Sequence, residues 1–122
     1  MYTVYLADDE QLIREGLAET IPWESLRMRL VGTAEDGRHA LRGIREHKPD
    51  IVLTDIRMPY LDGLELIGKI REVHPSCRVV IISGHGEFTY AQSAIQLGVS
   101  DFILKPVDVT SLCRTLGKLT RE

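Results

Sequence analysis

The stretch Asp50-Ile51-Val52-Leu53-Thr54-Asp55-Ile56-Arg57-Met58-Pro59 decides the fold. Its core, Ile51-Val52-Leu53, is continuously apolar rather than alternating. That pattern marks a strand covered on both faces, as in a parallel sheet. Val79-Val80-Ile81-Ile82 has the same character. Three more apolar runs complete the set: Val4 to Ala7, Leu30 to Thr33 and Phe102 to Leu104.

Between these runs the apolar residues adopt helical spacing. Leu66, Ile70 and Val73 fall at i, i+4 and i+7, and Phe88, Ala91 and Ile95 at i, i+3 and i+7. Val109, Leu112, Leu116 and Leu119 form the longest stripe, Ala40, Leu41 and Ile44 a shorter one, and Ile13, Leu17 and Ile21 another. The punctuation agrees. Asp62-Gly63 precedes one helix, His74-Pro75 closes it, and Gly98 follows the next. Pro22 stops the first helix near Glu19 or Thr20, and Trp23 is expected to pack over that end. The order is therefore βα repeated five times. It predicts an α/β, doubly wound, open parallel sheet of five strands with helices on both faces, a (βα)5 fold.

At 122 residues the chain suits one domain. Its 43% apolar and 27% charged residues are those of a soluble globular protein able to bury a core without disulfides. Cys77 and Cys113 have no metal-ligand spacing and read as reduced thiols of a cytosolic, cytoplasmic protein. Met1 leads straight into an apolar run, so no signal peptide is expected, and no run reaches the roughly 18 apolar residues of a membrane span. The net charge of -3, without a basic cluster, argues against nucleic-acid binding by these residues.

In an open parallel sheet, ligands bind beyond the carboxyl ends of the strands. Those positions hold Asp8-Asp9-Glu10, Asp55, Ser83-Gly84 and Lys105-Pro106. Two carboxylates about 5 Å apart, at an effective dielectric near 20, repel by roughly 3 kcal/mol. Three acids on one rim therefore need a proton or a cation, and a hard divalent ion suits oxygen ligands. Lys105 brings a point charge and Ser83 a hydroxyl donor to the same rim. Such a carboxylate is arranged to receive a phosphoryl group, with Asp55 as nucleophile and Lys105 and Ser83 assisting. Singly, each residue has an ordinary reading: a helix cap for Asp8 or Asp9, a turn for Asp55, a loop for Ser83, a strand end for Lys105. Their joint fall on one edge favours the chemical reading.

Together, Leu6-Ala7-Asp8-Asp9-Glu10, the 50–59 stretch, Asp62-Gly63, Ile82-Ser83-Gly84 and Leu104-Lys105-Pro106 resemble the signature of response-regulator receiver domains. The resemblance covers nearly the whole chain, residues 1–122, and implies the flavodoxin-like, CheY-like strand order 2-1-3-4-5. It implies that Asp55 is the phosphoacceptor, phosphorylated by a partner sensor histidine kinase. It further implies Mg²⁺ (or Mn²⁺) bound directly by Asp9, Asp55 and the backbone carbonyl of Arg57, with Asp8 acting through water. Ser83 would be the switch hydroxyl, Lys105 the phosphoryl partner, and Phe102 the aromatic that turns inward. A cis Lys105-Pro106 bond is expected from the same source. Arg57 and His85, two residues after Asp55 and Ser83, stand where the family tunes dephosphorylation. His39, His47 and His74 lie near helix ends and read as solvated.

Ile21-Pro22-Trp23-Glu24, Ile56-Arg57-Met58-Pro59 and Ser83-Gly84-His85-Gly86-Glu87-Phe88-Thr89-Tyr90-Ala91 are similar to regulators whose receiver precedes an AraC-type DNA-binding domain. No DNA-binding helix pair lies in these residues, so any DNA contact would need a separate effector domain. A homodimer through the face of the fourth helix, fifth strand and fifth helix is implied. Other readings compete. An aspartyl-phosphate hydrolase would place a second acid at the Arg57 position, so a turnover enzyme is not expected beyond self-catalysed phosphoryl transfer and slow hydrolysis. A flavin module would need a phosphate loop where Asp8-Asp9-Glu10 stand. A phosphorylation-independent receiver acting as an interaction module remains open.

Overall fold

Every continuous apolar run becomes a strand, and all five strands join one parallel sheet. The computed structural model describes residues 1–84 and 95–120. Within them the order is β1 (Tyr2–Ala7), α1 (Gln11–Thr20), β2 (Met28–Ala34), α2 (Gly37–His47), β3 (Ile51–Asp55), α3 (Gly63–Val73), β4 (Arg78–Ser83), β5 (Asp101–Leu104) and α4 (Val109–Leu119). The strand order is β2-β1-β3-β4-β5, as the resemblance implied.

Strand alternation divides the core into two layers. Val4, Leu6, Ile51, Leu53, Val80 and Ile82 face α1 and α4, packing on Leu17, Leu112 and Leu116. Their neighbours Tyr5, Val52, Val79 and Ile81 face α2 and α3, packing on Ile44, Leu66 and Ile70. β1, β3 and β4 are thus buried on both sides, which is why their sequence does not alternate. Tyr5 is the large side chain of its layer, and its ring lies against the backbone of Gly32 and Gly43, where any Cβ would collide with it.

The helix signals act as expected, with some differences. α1 ends at Thr20, and the Trp23 indole N–H closes it by donating to the Ala18 carbonyl at 3.0 Å. α3 begins with a capping box in which Asp62 accepts from the Glu65 N–H and Glu65 reaches back to the Asp62 N–H. Ile67 is fully buried while Val73 is only half-buried, so the inward stripe of α3 is Leu66, Ile67 and Ile70. Ile95 is 72% exposed and does not join the core, whereas Phe88, Ala91 and His85 of the expected fourth helix and its preceding loop lie outside the described residues. His74 is not simply solvated, because its Nε2 donates to the Pro49 carbonyl at 2.8 Å. His39 Nδ1 lies 2.6 Å from Asp36, the N-cap of α2. No helix among the described residues is long and apolar enough to cross a membrane.

The register sets up the functional rim. Ala7 pairs with Thr54, so Asp8 and Asp55 emerge at the same level. Asp55 pairs with Ile82, and Ser83 with Leu104, so Ser83 and Lys105 follow at the same edge.

Candidate functional site

Asp55 is the last residue of β3, and its side chain is 6% exposed. One oxygen, Oδ1, accepts the backbone N–H of Ile56 at 2.8 Å. The other, Oδ2, accepts from Lys105 Nζ at 3.1 Å. The loop beneath is pinned by Gly63, whose N–H donates to the Ile56 carbonyl at 2.5 Å. A Cβ on Gly63 would strike the Asp55 carbonyl and the Ile56 Cα, so only glycine lets α3 begin this close to the acid.

Asp8 is completely buried. Its Oδ1 accepts the Glu10 N–H at 2.9 Å, forming a turn that ends β1 rather than a cap on α1. The N-cap of α1 is Glu10, without a side-chain cap bond, so neither Asp8 nor Asp9 takes the capping role. Asp8 Oδ2 is buried with no hydrogen-bond partner, its ion pair with Lys105 Nζ standing at 3.4 Å. A buried carboxylate oxygen left unsatisfied is costly, and a bound cation would offset that cost.

Asp8, Asp9, Glu10 and Asp55 each offer a carboxylate oxygen, and these oxygens lie within 4.8 Å of one another. Burial, and then the charge of Asp8, push the Asp55 carboxyl up from its ordinary 3.8 to about 7, with Lys105 only partly opposing them. Burial also raises Asp8, against the Glu10 N–H and Lys105. Burial alone would lower Lys105, but its bond to Glu10 and the charges of Asp55 and Asp8 outweigh that and hold the ammonium above its usual range. The pocket is thus short of positive charge. An all-oxygen donor set with an unsatisfied buried oxygen fits a hard divalent cation.

Ser83 is buried at the end of β4, and its hydroxyl donates to the Gly84 carbonyl at 3.3 Å. Arg57 is exposed, two residues past Asp55. Phe102 is half-buried on β5 and packs against the α2 and α3 layer. The Lys105–Pro106 peptide is cis. The edge therefore brings together Asp8, Asp9, Asp55 and Lys105, with Ser83 one strand away from Asp55.

Two neighbours carry roles that the sequence did not assign. Glu10 Oε1 accepts from Lys105 Nζ at 2.8 Å, the shortest of that ammonium's three acidic contacts. Arg14 Nη1 donates to the Asp8 carbonyl at 2.8 Å and steadies the turn. The only signal for Arg14 was its position one helical turn after Glu10.

Residues 4–117 match the response regulator receiver domain family. The chain is 43% identical over 122 residues to the transcriptional regulatory protein YesN of Bacillus subtilis (strain 168), covering 100% of this chain and 33% of that one. It is 44% identical over 121 residues to the transcriptional regulatory protein HptR of Staphylococcus aureus (strain NCTC 8325 / PS 47), covering 99% of this chain and 47% of that one. It thus spans half or less of the length of these curated relatives. The REC domain of AraT, a response regulator from Geobacillus stearothermophilus, matches with a TM-score of 0.91 at 40% identity, over 98% of this chain and 95% of that chain. A two component transcriptional regulator AraC from Clostridium phytofermentans ISDg matches with a TM-score of 0.90 at 32% identity, over 99% and 94%. With the five-stranded order, the acidic edge and the matches in agreement, the chain belongs to the response regulator receiver domain family.

Proposed function

We propose that Asp55 is the phosphoacceptor of a two-component switch, phosphorylated by a sensor histidine kinase. The observation that carries this reading is the pairing of Asp55 Oδ2 with Lys105 Nζ at 3.1 Å beside the unsatisfied Asp8 Oδ2. In the transfer, an Asp55 carboxylate oxygen forms the new O–P bond as the N–P bond of a phosphohistidine breaks, and the imidazole leaves with that electron pair. Lys105 offsets charge on the incoming phosphoryl oxygens, and the Ser83 hydroxyl turns from Gly84 to donate to one of them.

Mg²⁺ (or Mn²⁺) would be held by Asp9, Asp55 and the Arg57 carbonyl, with Asp8 through water. When bound, it supplies the positive charge that keeps Asp55 ionised near neutral pH. The aspartyl phosphate is a stored signal rather than a turnover intermediate, so the chain acts as a switch and not as an enzyme. Rearrangement of the edge reaches Phe102 and the face formed by the fourth sequence-predicted helix, β5 and α4, through which a homodimer forms.

The output is transcriptional. Its DNA contacts belong to an AraC-type effector domain of a longer cytoplasmic protein, of which residues 1–122 are the receiver. The description of these relatives as transcriptional regulators and the greater length of YesN and HptR support this. Intact-mass spectrometry after incubation with acetyl phosphate tests the switch. One added phosphoryl group is expected in wild type with Mg²⁺, and none with chelator or in Asp55→Asn. Equal labelling of Asp55→Asn would refute the assignment. A beryllofluoride titration guards against rapid hydrolysis, and absence of both adduct and complex would favour a phosphorylation-independent interaction module.

A further inference from the structure

The Lys105 ammonium contacts Glu10 Oε1 at 2.8 Å, Asp55 Oδ2 at 3.1 Å and Asp8 Oδ2 at 3.4 Å. Glu10 therefore holds the closest of these contacts. Its place is fixed by the pocket itself, because its backbone N–H is bound by Asp8 Oδ1 at 2.9 Å. As the N-cap of α1 its side chain caps nothing, which leaves the carboxylate available to Lys105. The two partners differ in freedom. The Asp55 side chain is 6% exposed and cannot leave, whereas that of Glu10 is 58% exposed and can move into water.

We propose that Glu10 is a positioning residue that restrains Lys105 in the resting site and must release it when an anionic phosphoryl group enters. The inference rests on Asp55 being the phosphoacceptor. A phosphoryl group on Asp55 brings oxygens that compete for the same three N–H donors of Lys105. It also sets a second anion beside Glu10, and like charges at this range repel. Glu10, the only exposed acid of the three on Lys105, is the one that yields. The strength of its hold sets how readily the site accepts a phosphoryl group.

The test is calorimetric titration of beryllofluoride, in saturating Mg²⁺, into wild type, Glu10→Gln and Glu10→Asp, with parallel Mg²⁺ titrations. Gln removes the charge, while Asp keeps it but withdraws it from Lys105 by one methylene. Both variants are expected to bind beryllofluoride about three-fold more tightly or better, the range of a partly exposed ion pair, with Mg²⁺ affinity changed less than about three-fold. Unchanged or weaker beryllofluoride binding in the variants would overturn the restraint. A gain in Glu10→Gln alone would overturn the contact in favour of the general field. A ten-fold or greater loss of Mg²⁺ affinity in either variant would instead make Glu10 a metal ligand and overturn it too. Wild type that is folded yet binds no beryllofluoride would overturn the phosphoacceptor reading itself, and this inference with it.

Discussion

Lys105 Nζ and Asp55 Oδ2 meet at 3.1 Å although β4 separates their strands in the sheet. The contact bridges the edge from β5 to β3, and Lys105 is the only cation in ion-pair contact with Asp8 and Asp55 among the described residues. Removing it as Lys105→Met strands two buried acids. The variant is expected to lose about 1–3 kcal/mol at pH 8, because it leaves buried carboxylate oxygens without their partner. The loss shrinks at pH 5, where Asp55 is protonated with or without the lysine. Urea unfolding at the two pH values checks this.

Asp55 also makes the metal-free protein sensitive to pH in an unusual direction. Its carboxyl rises from 3.8 to about 7 on folding, so between those values the folded state binds more protons than the unfolded state. Stability from this group is complete below pH 4 and is lost as pH climbs through 7. In chelator, Asp55→Asn is expected to be the more stable protein at pH 8, by on the order of 2 kcal/mol, since an uncharged amide carries no such cost. The advantage should vanish near pH 4. Added Mg²⁺ should raise the wild-type melting temperature more than that of the variant. Thermal melts across pH, with and without Mg²⁺, read all three effects.

Arg71 holds the chain ahead of β5 to the end of α3. Its guanidinium donates to the carbonyls of Leu97 at 3.1 Å, Gly98 at 2.9 Å, Pro75 at 3.1 Å and Cys77 at 2.5 Å. A flat fork with five donors can serve four carbonyls at once, and a lysine cannot. Arg71→Ala is expected to cost about 2–4 kcal/mol, and Arg71→Lys to recover less than half of it. Denaturant titration measures both, and full rescue by lysine would show that charge alone matters.

Gly43 sits in the middle of α2, where alanine ordinarily gains about 1 kcal/mol of helix propensity. Here the Tyr5 ring occupies the space a Cβ needs. Overpacking of about 1–3 kcal/mol should win, so Gly43→Ala is expected to destabilise. Adding Tyr5→Leu should restore part of the loss. Chemical denaturation of the single and double variants decides which effect dominates.

The strands were legible because β1, β3 and β4 are buried on both faces and write continuous apolar runs. Their ends ran one or two residues beyond the runs, at Tyr2, Met28 and Arg78, where ladder bonds continue past the apolar stretch. The acids were legible because a parallel sheet puts strand ends at one rim. The missed roles depend on side-chain reach. Nothing in Asp8-Asp9-Glu10 says that the third acid folds back to Lys105, 95 residues on. Ile67 was missed because the i, i+4, i+7 stripe of Leu66, Ile70 and Val73 is one residue wide, whereas α3 buries a broader face that also takes in Ile67 beside Leu66 and Ile70. His74 gave no sign of its Pro49 contact, since that carbonyl belongs to the loop before β3.

The most direct measurement locates the acyl phosphate itself. The chain is incubated with acetyl phosphate and Mg²⁺, reduced with borohydride so that a phosphorylated aspartate becomes homoserine, digested and sequenced by mass spectrometry. Homoserine at position 55, lost when Mg²⁺ is chelated, is the expected result. Homoserine at position 8 or 9 instead, or the same yield at 55 without any divalent ion, would contradict the assignment of Asp55 as a metal-assisted phosphoacceptor.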